Sequence, residues 1–153
     1  MKKVIPLLLV LAMAFSFVGC GQAKNPDLSE VMKQVQTDIK FPEMAEQTAT
    51  DLAYFGYEGV APDDVEEIQW IMASSGMTPE EVLIVKMKEE KSVSDMKAAM
   101  EKHKETVYQA SRDYSPEQIG LIDDAVIETK GQYAFYAVTP DNDTAKKIFK
   151  ESF

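Results

Sequence analysis

The stretch VEEIQWIMASSGMTPEEVLIVKMK, residues 65–88, decides the fold class. It holds two short runs rich in β-branched and aromatic residues, Val65–Ala73 and Val82–Lys88, with Ser74-Ser75-Gly76 and Thr78-Pro79 between them. Runs of this length bounded by turn residues read as strands. Val82-Leu83-Ile84-Val85 points bulky groups to every side, which suits a strand covered on both faces or partly so. Thr78-Pro79-Glu80-Glu81 has the chemistry of a helix start, yet before so apolar a run it reads as a single turn feeding the second strand.

Helical spacing dominates on either side. Val93, Met96, Met100, His103, Val107, Ala110 and Tyr114 recur at intervals of three and four, which predicts a long amphipathic helix over 93–114. Ser92 and Asp95 have capping-box spacing at its start, and Ser115-Pro116 ends it. A short turn over 116–123 leads to expected strands Ala125–Thr129 and Gln132–Val138, joined at Lys130-Gly131. A tight hairpin there needs the positive φ that glycine adopts. Pro140-Asp141 caps a last helix whose inner face is Ala145, Ile148, Phe149 and Phe153.

Toward the N-terminus, Leu28, Val31, Val35 and Ile39 predict a helix capped by Asn25–Ser29 and stopped at Phe41-Pro42. Met44, Thr48, Leu52 and Phe55 give a second, weaker helical stripe, ending near Gly56 and Gly59. The order α-α-β-β-α-β-β-α predicts an α+β two-layer sandwich. Its four-stranded antiparallel sheet is made of two hairpins and carries its helices on one face.

The chain opens Met1-Lys2-Lys3 and runs apolar from Val4 to Val18, interrupted only by Pro6 and Ser16. Two lysines before a short apolar stretch match a secretory signal, whereas a spanning helix wants about 20 apolar residues. The charge-free window continues to Ala23, so an uncleaved anchor is the competing reading. Phe17-Val18-Gly19-Cys20 favours the signal, because it resembles the lipobox of bacterial lipoproteins. That resemblance implies a diacylglyceryl thioether on Cys20 and cleavage just before it. The expected organisation is a signal peptide at 1–19, a lipidated cysteine and short tether at 20–26, and one domain over 27–153. Cys20 is the sole cysteine, so no disulfide supports the domain.

Acidic residues number 26 against 16 basic ones, a formal charge of −10. Between Lys40 and Lys86 there is no lysine or arginine. Such a chain is repelled by phosphate backbones, so nucleic acid is excluded as a partner. The same sign opposes adhesion to an anionic leaflet, which leaves attachment to the lipid. The tether Gly21–Pro26 reaches at most about 20 Å when extended.

Signals of chemistry are sparse. His103, the sole histidine, lies on the apolar stripe of the long helix, where a packed imidazole is the ordinary role. As a general base it would need a partner, and Ser111, Asp113 and Ser115 sit on other turns, with no G-x-S-x-G motif. Met96, Met100 and His103 share one helix face, a soft ligand set suited to Cu(I) but equally the pattern of core filler. Asp141-Asn142-Asp143 opens like a calcium loop but lacks its later oxygen donor and glycine, so helix capping is the better account. Tyr133, Phe135 and Tyr136 lie on alternating faces of the last strand, and an exposed ring among them is the expected partner contact.

The order of elements resembles a family of small Gram-positive lipoproteins built on a domain of unknown function. The residues that carry it are Asp63–Glu67, Ser75–Val82, Tyr114–Glu117 and Gly131-Gln132-Tyr133. The resemblance implies a compact α+β domain on a lipoprotein, with no assigned activity or catalytic residues. The expected function is a non-enzymatic binding or accessory module of the cell envelope. It would sit on the outer face of the cytoplasmic membrane, held through Cys20, with a protein partner and no cofactor. The competing expectations are a small-ligand or copper binder using Met96, Met100 and His103, and an envelope hydrolase using His103.

Overall fold

The computed structural model describes residues 24–153. Helix α1 spans Leu28–Asp38, with the Asp27 carboxylate accepting from the Ser29 and Glu30 amides. Strand β1 (Met44–Glu46) follows, then an irregular segment, then β2 (Val65–Ala73) and β3 (Glu81–Met87). Helix α2 (Val93–Tyr114) has the bounds its spacing predicts. After it come a short α3 (Ile119–Asp123), β4 (Val126–Lys130), β5 (Tyr133–Val138) and α4 (Asn142–Ser152).

The five strands form one antiparallel sheet in the order β1-β2-β3-β5-β4. The architecture is α+β, with one strand more than the two hairpins provide. The fifth strand is β1, which replaces the second helix expected from Met44, Thr48, Leu52 and Phe55. Phe41-Pro42 leaves the chain extended at the free edge of β2, where Met44 pairs with Ala73 and Glu46 with Ile71. An unpaired strand edge offers a full row of backbone partners, which outweighs a weak helical stripe. Thr48 and Asp51 then bond each other across a single 3-10 turn, and the chain goes no further as helix. Gly56 and Gly59 lie beyond it at φ +92° and +89°.

The helices cover both faces of the sheet, not one. The α1 and α4 pair packs on the side presenting Ile71, Val82, Ile84, Phe135 and Ala137. Helices α2 and α3, with Leu52, Tyr57 and Val60 of the irregular segment, cover the side presenting Trp70, Leu83, Val85, Ala134 and Tyr136. Three layers therefore replace the expected two. The reason lies in the central strands: all of β5 and all of β3 except Lys86 are buried. Strands apolar on both faces need cover on both.

Two local expectations also change. Ser92 makes no side-chain cap, because the 3-10 turn Glu90–Ser92 runs straight into α2 and gives Ser92 helical dihedrals. A cap residue needs extended ones. Residues 116–123 form a 3-10 turn plus α3 rather than a plain turn. Gly131, at φ +55°, makes the two-residue β4–β5 hairpin in which Lys130 faces Tyr133.

Candidate functional site: a buried carboxylate hub

Glu81 opens β3 and shares its face with Leu83 and Val85, toward α2. Strand parity thus carries a carboxylate into the core, where it is 2% exposed. Opposite it is His103 of α2, 4% exposed. Trp70 comes from β2 and Tyr57 from the irregular segment, both sealed.

Four elements meet at this one carboxylate. The Tyr57 hydroxyl donates to Oε1 at 2.6 Å and the Trp70 indole N–H donates to the same oxygen at 2.8 Å. His103 Nε2 lies 2.7 Å from Oε2. The indole N–H can only donate, so Oε1 accepts, and with the carboxylate accepting at Oε2 as well the proton of this third bond is assigned to Nε2. The Tyr57 ring stacks on the imidazole at 4.3 Å and 22°. Trp70 meets Tyr57 edge-on at 5.4 Å, and Tyr136 meets His103 edge-on at 5.5 Å.

Burial, and next the charge of Glu81, push the Tyr57 phenol well above the usual range. The same two causes in the same order raise Tyr136. Both groups stay hydroxyls at any ordinary pH. Two buried atoms beside the hub have no partner among the described residues: His103 Nδ1 and the Tyr136 hydroxyl. Gly56 sits directly on the first of these. A Cβ built there would lie 3.6 Å from Nδ1.

Chemically, the hub is a carboxylate–imidazole pair. Glu81 holds the ring by Nε2, and in the neutral ring the lone pair falls on Nδ1. A buried carboxylate with three donors is satisfied, whereas removing one partner leaves its opposite number uncompensated.

Met96 and Met100 are fully buried in the same apolar cluster as Trp70 and Leu83, and Nε2 of His103 is engaged by Glu81. Among the described residues, no three His, Cys, Asp or Glu side chains come together as a metal-binding group. Tyr133 is 7% exposed, and Phe135 and Tyr136 are fully enclosed, so the three rings expected to offer a partner contact lie inside. Tyr133 and Phe135 face α1 and α4, and Tyr136 faces α2. The large apolar side chains that are exposed are Tyr54, Met77 and Tyr114. Asp141 caps α4 by accepting from the Thr144 amide at 2.9 Å, which lowers its pKa. A polar surface cleft of about 670 Å³ lies between Lys104, α3–β4 and the start of α4, with Lys146 paired to Glu128 at 3.2 Å. Cys20 and the expected signal segment lie outside the described residues.

Sequence reasoning missed Glu81, assigning it to a turn. The signal was there in parity: a carboxylate two and four residues before Leu83 and Val85 on a strand buried on both faces. A lone histidine on the apolar stripe of the longest helix was its complement.

A three-layer α+β domain built around a sealed carboxylate hub is the class that fold and site define. Residues 28–139 match a family model described as a domain of unknown function, DUF4358, and the chain belongs to that family. No curated protein and no solved structure matches the chain.

Proposed function

We propose that the chain is a lipid-anchored, extracytoplasmic binding or accessory module of the cell envelope, acting without catalysis. The signal-like N-terminus ending in Cys20 supports the anchor. The observation that carries the reading is where the chain enters the domain. Asn25 accepts from the Tyr133 hydroxyl at 2.6 Å, and Lys24 Nζ donates to the Glu151 carbonyl at 2.6 Å. Asn25 is five residue steps from Cys20, a reach of at most about 18 Å. A lipid on Cys20 would therefore hold the β4–β5 hairpin end of the sheet, with the last turn of α4, beside the bilayer. Among the described residues no helix is long and apolar enough to cross a membrane. Burial of both Glu81 and His103, at 2% and 4% exposed, supports a role without catalysis.

Intact mass of the protein extracted from membranes tests the anchor. Loss of residues 1–19 together with diacylglycerol mass on Cys20 is the expected result. Retention of those residues, or an unmodified thiol, would overturn it.

A further inference from the structure

The two edges of the sheet are unequal: β1 brings three residues to one, whereas β4 brings five to the other. Pairing within the β4–β5 hairpin fixes which backbone groups of β4 are spent. In an antiparallel ladder, alternate residues turn their N–H and C=O to opposite sides. The Gln132 carbonyl accepts from the Met87 amide at 2.8 Å, so the even-numbered positions of β5 turn to β3. Tyr133, Phe135 and Ala137 then turn to β4, where they face Lys130, Glu128 and Val126. Ile127 and Thr129 are left with both backbone groups pointing outward, and among the described residues nothing bonds to them. Such a row is a template for another strand.

This edge also has walls. The cleft of about 670 Å³ is lined by Val126, Ile127 and Glu128 of β4, by Lys104 of α2 and by Lys146 of α4. Helices α2 and α4 lie on opposite faces of the sheet, so a cleft touching both runs around its β4 edge. On the α2 side, Leu121 and Ile127 are half-buried apolar residues packed on the core. On the α4 side stand Glu128 and, in the first turn of α4, Asp143. The lining sets Asp124, Glu128, Asp141 and Asp143 against Lys104 and Lys146. Both lysines are already engaged, Lys104 with the Asp123 carbonyl at 2.8 Å and Lys146 with Glu128 at 3.2 Å. The cleft is anionic.

We infer that the β4 edge is a docking site for an extended segment of a basic partner protein, which joins the sheet beside Ile127 and Thr129. A strand added there bonds through its main chain and sets its side chains alternately on the two faces. One set meets Ile127 and Leu121, and the other meets Glu128 and Asp143. The segment recognised therefore alternates apolar residues with lysine or arginine. A second copy of the chain is opposed by its formal charge of −10 and would bring the same acids to the cleft. The inference rests on the binding-module reading, whose partner it describes, and not on how the chain is anchored.

The probe is a fluorescein-labelled peptide, Lys-Val-Lys-Val-Lys-Val, titrated with the full chain in non-ionic detergent and followed by anisotropy. Saturable binding that weakens with salt is expected, with the Glu-Val counterpart about tenfold weaker or more. Of two Lys-Val peptides N-methylated at alternate residues, one should bind and the other should not, because a single row of amides faces the edge. Thr129→Pro removes an outward donor and no ladder bond, so the unfolding midpoint should hold while affinity falls about tenfold. With peptide bound, amide exchange at Ile127 and Thr129 should slow. No binding of the Lys-Val peptide, or equal binding of both charge types or of both methylated peptides, would overturn the docking strand. Self-association of the chain that Thr129→Pro abolishes would overturn the basic partner in favour of a second copy. Lipid on Cys20 is read by mass alone, so the anchor and the edge fail separately.

Discussion

A single carboxylate at the first position of β3 ties together residues from four elements. Glu81→Gln keeps the volume but removes the charge, and its amide N–H₂ would face donors at one oxygen position. The expected loss is about 3 kcal/mol in urea unfolding. His103→Phe alone should cost a similar amount, because the carboxylate then keeps its charge without the imidazole. Glu81→Leu with His103→Phe should cost less than the sum of Glu81→Leu and His103→Phe made singly, because each single variant strands the other's buried group, while the Tyr57 hydroxyl and Trp70 N–H lose their acceptor in both Glu81 variants. Strict additivity in this cycle would show that the two do not act as a pair. Tyr57 gives a pH signature. Its phenol is raised in the fold by burial first and by Glu81 second. The contribution is therefore fully present below the unfolded phenol range, about pH 10, and is lost as pH rises above it. Tyr57→Phe should flatten part of this alkaline decline, measured as unfolding midpoint against pH. An unchanged slope would remove Tyr57 from the account.

Elements with strong periodicity were legible in the chain itself. Helix α2 came out at its predicted bounds because seven apolar positions at helical spacing outweigh anything its neighbours impose. Strands β2, β3, β4 and β5 were legible from composition and from Gly131. The stripe at Met44–Phe55 was not, because its fate was decided by the edge of β2, a partner remote in sequence. Cover on both faces was half visible in Val82–Val85, but the placing of α1 and α4 together opposite α2 depends on packing that no local pattern states. Strand parity marked Glu81, but the partners of the hub were not legible, for the same reason: they stand 11 to 24 residues from Glu81. Helix caps give the element-scale prediction. Asp27 and Asp141 have pKa values lowered by hydrogen bonds, from the Ser29 hydroxyl first for Asp27 and from the Thr144 amide first for Asp141. Lowered carboxylates stabilise the fold above the unfolded carboxylate range and lose that contribution as pH falls through their folded values. Asp27→Asn and Asp141→Asn should each make the acid arm of the stability profile shallower, and an unchanged arm would deny the caps their charge-dependent part.

Taken whole, the molecule is a sheet sealed on both sides, apolar under α1 and α4 and centred on a polar hub under α2. Its chain enters at the hairpin end of the sheet, while Glu81 pairs with Val138 at the opposite end. In the proposed setting, the lipid end and the hub end point away from each other. Both the fold's specificity and this picture depend on the state of one imidazole, which His103 being the sole histidine makes directly observable. The measurement is a ¹⁵N–¹H correlation spectrum of that ring at neutral pH. The account predicts a slowly exchanging proton on Nε2, with through-space contacts to the Trp70 indole N–H and the Tyr57 ring. A proton held on Nδ1 with Nε2 bare, or a ring exchanging freely with solvent, would contradict it.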